Sequence, residues 1–124
     1  MKLYRVMKVD AGGKPLIGTR RNMLGVRPTD PTNKDPRRLP DVGAVNDADV
    51  ISPGEGLSTS QDVKQLRANP GEAIFEIESD DLGSTLMANP DRPPHCLIQP
   101  ATTCTLGQFQ KELADTRDLW RPVQ

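Results

Sequence analysis

The sequence predicts a single α+β domain spanning residues 1–124. Three observations carry that expectation: short apolar runs with two-residue alternation, one amphipathic stretch at helical spacing near the C-terminus, and long proline-rich segments without periodicity. A length of 124 residues suits one domain. Apolar residues make up 35%, and only Tyr4, Phe75, Phe109 and Trp120 are aromatic. The core must therefore be small and built mostly from Leu, Ile, Val, Met and Ala.

The elements follow in order. Leu3 to Val9 alternates as a half-buried strand does, with Leu3, Arg5, Met7 and Val9 on one face and Tyr4, Val6 and Lys8 on the other. Asp10-Ala11-Gly12-Gly13 is a turn. Met23 to Val26 is a weaker extended piece. Arg27 to Asp49 carries Pro28, Pro31, Pro36 and Pro40 among mixed charges, and reads as a long loop, mobile or folded over a partner. Gly54 and Gly56 then lead into a short strand, and Ser60 is placed to cap a short helix containing Val63 and Leu66. Asn69-Pro70-Gly71 stops that helix. Ala73 to Ile77 is a second strand. Pro90, Pro93 and Pro94 mark irregular chain, and His95 to Ile98 is a short buried strand ending at Pro100. Thr105 and Gln108 fit a capping box, followed by Leu106, Phe109, Leu113, Thr116 and Trp120 on one stripe.

Composition excludes several classes. No apolar run approaches the ~20 residues of a spanning helix. The N-terminus lacks the apolar core of a secretory signal, and a reducing cytoplasm is the expected compartment. With 16 Lys and Arg against 17 Asp and Glu, and a pI near 5.8, the overall balance argues against a dedicated nucleic-acid binder. Cys96 and Cys104 do not make a disulfide framework, and one His offers no zinc spacing. Both cysteines read as small hydrophobes or free thiols.

A few residues have chemistry to offer. Arg5 sits mid-strand between apolar neighbours, where a charge needs a partner. Position alone favours a salt bridge across the sheet or an edge charge; the functional alternative is a guanidinium gripping a phosphate or carboxylate. Ser58-Thr59-Ser60 reads as strand end and cap, or as hydroxyls beside a ligand that glycines let approach. A lone His95 is more often structural, but can contact a ribose or pyrophosphate. Glu76 and Glu78 read as exposed charge. Gln99 satisfies local backbone or reaches a ligand.

Taken together, the Tyr4-Arg5 pair, Met23-Leu24-Gly25-Val26-Arg27, the glycines leading into Leu57-Ser58, and the tail His95-Cys-Leu-Ile-Gln-Pro-Ala101 with Leu106, Phe109, Leu113 and Trp120 resemble a known family. It is that of the small ADP-ribosyltransferase-like toxin effectors of bacterial type VI secretion systems and their bacterial relatives. The resemblance implies two small facing sheets with NAD between them. It implies an NAD-dependent ADP-ribosyltransferase or NAD glycohydrolase acting inside target bacterial cells, delivered without a signal peptide and matched by a cognate antitoxin or immunity protein. Under it, Arg5 holds the phosphate and ribose region, Ser58, Thr59 and Ser60 shape the nicotinamide pocket, and Tyr4 and His95 contact the cofactor. Gln99 stands where the family's catalytic glutamate is expected, with Glu76 or Glu78 as substitutes. An amide offers a dipole where a carboxylate would support positive charge. The alternative is a non-catalytic module of the same fold that binds a protein partner.

Overall fold

The computed structural model describes residues 1–123. Alternation in the first segment becomes β1 (Lys2–Lys8), with Leu3 and Met7 fully buried. The chain continues through β2 (Val50–Ile51), β3 (Leu57–Ser60), β4 (Glu72–Glu78), β5 (Leu86–Arg92), β6 (His95–Pro100), β7 (Cys104–Thr105), helix α1 (Leu106–Asp115) and β8 (Arg121–Pro122). Six strands form one antiparallel sheet in the order β5-β6-β3-β1-β4-β8, while β2 and β7 pair separately. The fold is thus α+β, with one dominant sheet and a two-stranded ribbon in place of two comparable small sheets.

Burial follows the alternation. One face of the large sheet carries Leu3, Met7, Leu57, Phe75, Ile77, Cys96 and Ile98, and joins a single core with Leu106, Phe109, Leu113 and Trp120. The Thr105 hydroxyl caps α1 by accepting from Gln108 N (3.2 Å). Among the described residues the second half of the expected capping box is not formed: the only Gln108 side-chain bond is the one its amide N–H donates to Glu112. The helix ends at Asp115. A single 3₁₀ turn, Arg117–Leu119, then carries Trp120 to the core, where its indole N–H donates to Thr116 Oγ1 (3.0 Å).

Several expectations are corrected. The chain around Pro90 is strand, because β5 is an edge where a missing amide proton costs no ladder bond. Ser60 ends β3 and does not cap a helix; Asp62 caps a single 3₁₀ turn, Val63–Gln65, by accepting from Lys64 N. Met23 to Val26 forms no strand, only a bridge between Leu24 and Ile17. It is clamped by Gln110 of α1, whose amide accepts from Val26 N (2.9 Å) and donates to Val26 O (2.8 Å). Gly25 is required here, since a Cβ would lie 2.1 Å from Gly18 O. The loop after Arg27 has no regular structure, but its ends are fastened. Thr29 N donates to Ala44 O, Arg27 N to Asp41 Oδ2, and Val42 and Ala44 enter the core.

Candidate functional site

The site begins with an irregularity in the sheet. Strands β1 and β3 are paired at one position alone, Tyr4 with Ser60, although each is fully paired on its other side. Beyond that position they part, and Arg5 fills the gap. Its Nη1 donates to Ser58 O (2.9 Å) and its Nη2 to Met23 O (3.0 Å). Its Nε is buried without a hydrogen-bond partner. No carboxylate pairs with it among the described residues, which corrects the reading of a salt bridge across the sheet. Burial lowers its pKa to about 10, with Asp41 opposing the shift and Arg27 adding to it. Arg5 is therefore still charged at neutral pH, in a place where charge is costly.

Over this gap lies a cavity of about 570 Å³ lined by Tyr4, Arg5, Ser58, Thr59, Ser60 and His95. The pairing explains why residues so distant in sequence meet. Glu76, Tyr4, Ser60 and His95 stand opposite one another across β4, β1, β3 and β6, forming a row over four strands. Thr59 borders the cavity too, but its hydroxyl is already engaged, donating to Cys96 O (2.7 Å). Ser60 Oγ accepts from Asp62 N (3.0 Å), fixing the exit from β3.

Three more cations reach the cavity: Arg21, Arg67 and Arg92. Sequence reasoning passed over them, because only the fold brings their segments to the β1–β3 gap. Arg67 spends donors on Lys64 O and Leu66 O, and Arg92 lies 3.9 Å from Asp91. Asp91 is the other missed residue. Its Oδ1 lies 2.7 Å from His95 Nδ1, which leaves Nε2 as the unengaged ring nitrogen. Burial raises the Asp91 pKa, but the hydrogen bond with His95, together with attraction to the imidazolium whenever the ring is protonated, outweighs it and holds the carboxyl below its ordinary value. The signal was present in the sequence as an Asp four residues before the single His.

Gln99 does not line this cavity. It is buried one strand-length away, where its Oε1 accepts from Gly54 N (3.0 Å) and Asn89 Nδ2 (2.9 Å). It secures the Gly54 turn that lets the chain pass tightly over β6; at Gly56 a Cβ would sit 2.1 Å from Ile98 O. Glu76 stands beside Tyr4 but faces Lys2 Nζ (3.7 Å), and Glu78 pairs with the N-terminal ammonium (3.4 Å). Neither lines the cavity, and among the described residues no Asp or Glu does.

Cys96 and Cys104 are both free, and burial raises both thiol pKa values. Among the described residues no group of three His, Cys, Asp or Glu is placed to hold a metal, and no helix is long and apolar enough to cross a membrane. No family model, no curated protein and no solved structure matches this chain.

Proposed function

We propose that the cleft over the β1–β3 gap binds NAD and that the domain breaks its nicotinamide–ribose bond. ADP-ribose then passes to an acceptor or to water. The observation that carries this reading is Arg5: a buried guanidinium, unpaired with any carboxylate, beside two serines in a cavity whose other charged liners are cations. That chemistry fits a phosphate-bearing ligand, and a volume of about 570 Å³ suits a small-molecule site.

In this mechanism Arg5, Arg21 and Arg67 face the pyrophosphate. Ser58 and Ser60 position the nicotinamide ribose, and Tyr4 offers its ring to the base. The glycosidic electron pair leaves with nicotinamide, neutralising its pyridinium charge. As the acceptor oxygen bonds to the ribose carbon, its proton passes to His95 Nε2, with Asp91 holding the ring as a carboxylate orients a histidine base. The reading includes the resemblance: an ADP-ribosyltransferase-like toxin domain that acts in a target cell and is restrained by an immunity protein.

One observation favours a second reading. A cleft without a carboxylate lacks the group that would support an oxocarbenium ion, which fits a non-catalytic module binding a protein partner. NAD titration separates the two. NAD at 100 times its dissociation constant stabilises the protein by about 2.7 kcal/mol, a readily measured rise in melting temperature. The proposal expects that rise together with release of nicotinamide. No rise and no release, with a tight protein partner recovered on the purified domain, would establish the module.

A further inference from the structure

We propose that a second groove, formed by the loop between Thr19 and Pro40, binds the phosphodiester backbone of a nucleic acid. The groove encloses about 1070 Å³ and is lined by Arg20, Arg21, Arg27, Lys34, Arg37 and Arg38. Only two carboxylates line it, and both are engaged. Asp30 accepts from Thr32 N and Thr32 Oγ1, while Asp35 lies against Arg37 and Arg38. Arg20, Arg21 and Lys34 are exposed, and among the described residues no carboxylate pairs with them.

The formal charge of −1 conceals this surface. Residues 1–38 carry ten Lys and Arg against three Asp and Glu, a net +7; residues 39–124 carry six against fourteen, a net −8. Arg21 lines both this groove and the cleft over the β1–β3 gap, so the positive surface is continuous between them. A polymer following the groove is thereby led to the mouth of the cleft.

The lining selects the partner. The groove has no aromatic residue, so it offers no platform on which bases stack, and recognition falls to the backbone without regard to sequence. Leu39 is its one large apolar side chain other than proline. The aromatic and methionine anchors that make a protein interface adhesive are therefore missing. Arg27 is paired with Asp41, and Arg37 and Arg38 share Asp35, so the donors left for a ligand are the Arg20 and Arg21 guanidinium forks, whose planar donors match phosphate oxygens in pairs, and the Lys34 ammonium.

Fluorescence anisotropy with a labelled oligouridylate of about 20 nucleotides tests this between 50 and 200 mM salt. Affinity should fall with salt, with a log–log slope of about −0.7 for each phosphate contacted. The double variant Arg20→Ala/Lys34→Ala should bind at least about tenfold more weakly at 50 mM salt, with a slope shallower by about 1.4. Its melting temperature should be unchanged, since both side chains are exposed and unpaired. Absence of binding at 50 mM salt, or equal binding by the double variant, would overturn the proposal. So would an oligoglutamate of equal length and charge competing as well as the oligouridylate, since the groove would then belong to an acidic protein segment. The NAD-induced rise in melting temperature reads the other cleft, so the two proposals succeed or fail separately.

Discussion

Arg5 joins folding to ligand chemistry, because one guanidinium ties Ser58 O and Met23 O while its Nε remains unpaired. Arg5→Ala strands two carbonyls at the gap, and should cost about 1–3 kcal/mol for each that stays dry. Arg5→Lys keeps the charge but loses the planar fork whose two ends reach Ser58 O and Met23 O separately, and offers a phosphate a point charge in place of paired donors. Both variants should melt lower than wild type, and the NAD-induced rise should vanish in both; an undiminished rise in Arg5→Lys would remove Arg5 from the ligand site. Gln99→Glu gives the complementary test. A carboxylate there still accepts from Gly54 N and Asn89, but lies outside the cleft, so nicotinamide release should not increase. Greater release would show that position 99 does reach the substrate. Asp91 supplies a pH test. Its carboxyl pKa is lowered in the folded protein, so its stabilising contribution is complete above the unfolded value (~3.9) and fades as pH falls through the folded one. Asp91→Asn should therefore be less stable than wild type at neutral pH, with the difference in urea midpoint closing towards acid.

Elements whose signals are local could be read directly. β1, β4 and α1 each carry their own period, and the Thr105 cap sits where a short polar residue precedes an apolar stripe. β5 could not be read this way. Only its first half, Leu86 to Ala88, is apolar; the rest is polar, contains Pro90, and exists as a strand because β6 pairs with it across a bulge. β8 is two residues long and gains its identity only by lying against Phe75 and Glu76. The candidate site divides in the same manner. Tyr4, Arg5 and the Ser58–Ser60 run were visible within their own strands, whereas Arg21 and Arg67 depend on how loops close around the sheet. Helix α1 is the element on which most of this rests, since it completes the core and clamps Val26. Leu113 is fully buried, so Leu113→Ala should destabilise by about 2–5 kcal/mol in urea melts. An unchanged midpoint would mean that the stripe contributes nothing to the core.

On the scale of the whole molecule, the Arg27–Asp49 segment shows how composition misleads when averaged. Four prolines and many charges suggest chain that buries little, yet Val42 and Ala44 are core residues. Its two ends also run side by side, with Asp41 N and Val42 N both donating to Arg27 O and the Thr29 hydroxyl to Val42 O. Regular structure is absent, but attachment is not, because backbone donors here are met by loop carbonyls and by the Asp41 carboxylate. The stretch from Asp30 to Pro40 is the part not tied to the rest of the domain: Lys34, Arg37 and Arg38 are exposed and its hydrogen bonds run within the stretch itself. Brief trypsin treatment of the native protein should therefore cut first after Lys34, Arg37 or Arg38, since cleavage requires backbone that can open locally. The fragments should remain associated on a sizing column, held by the core that both sides of the cut enter. Separation of the fragments, or a first cut elsewhere in the domain, would show that the two ends of the loop are not fastened as the Thr29–Ala44 and Arg27–Asp41 bonds require.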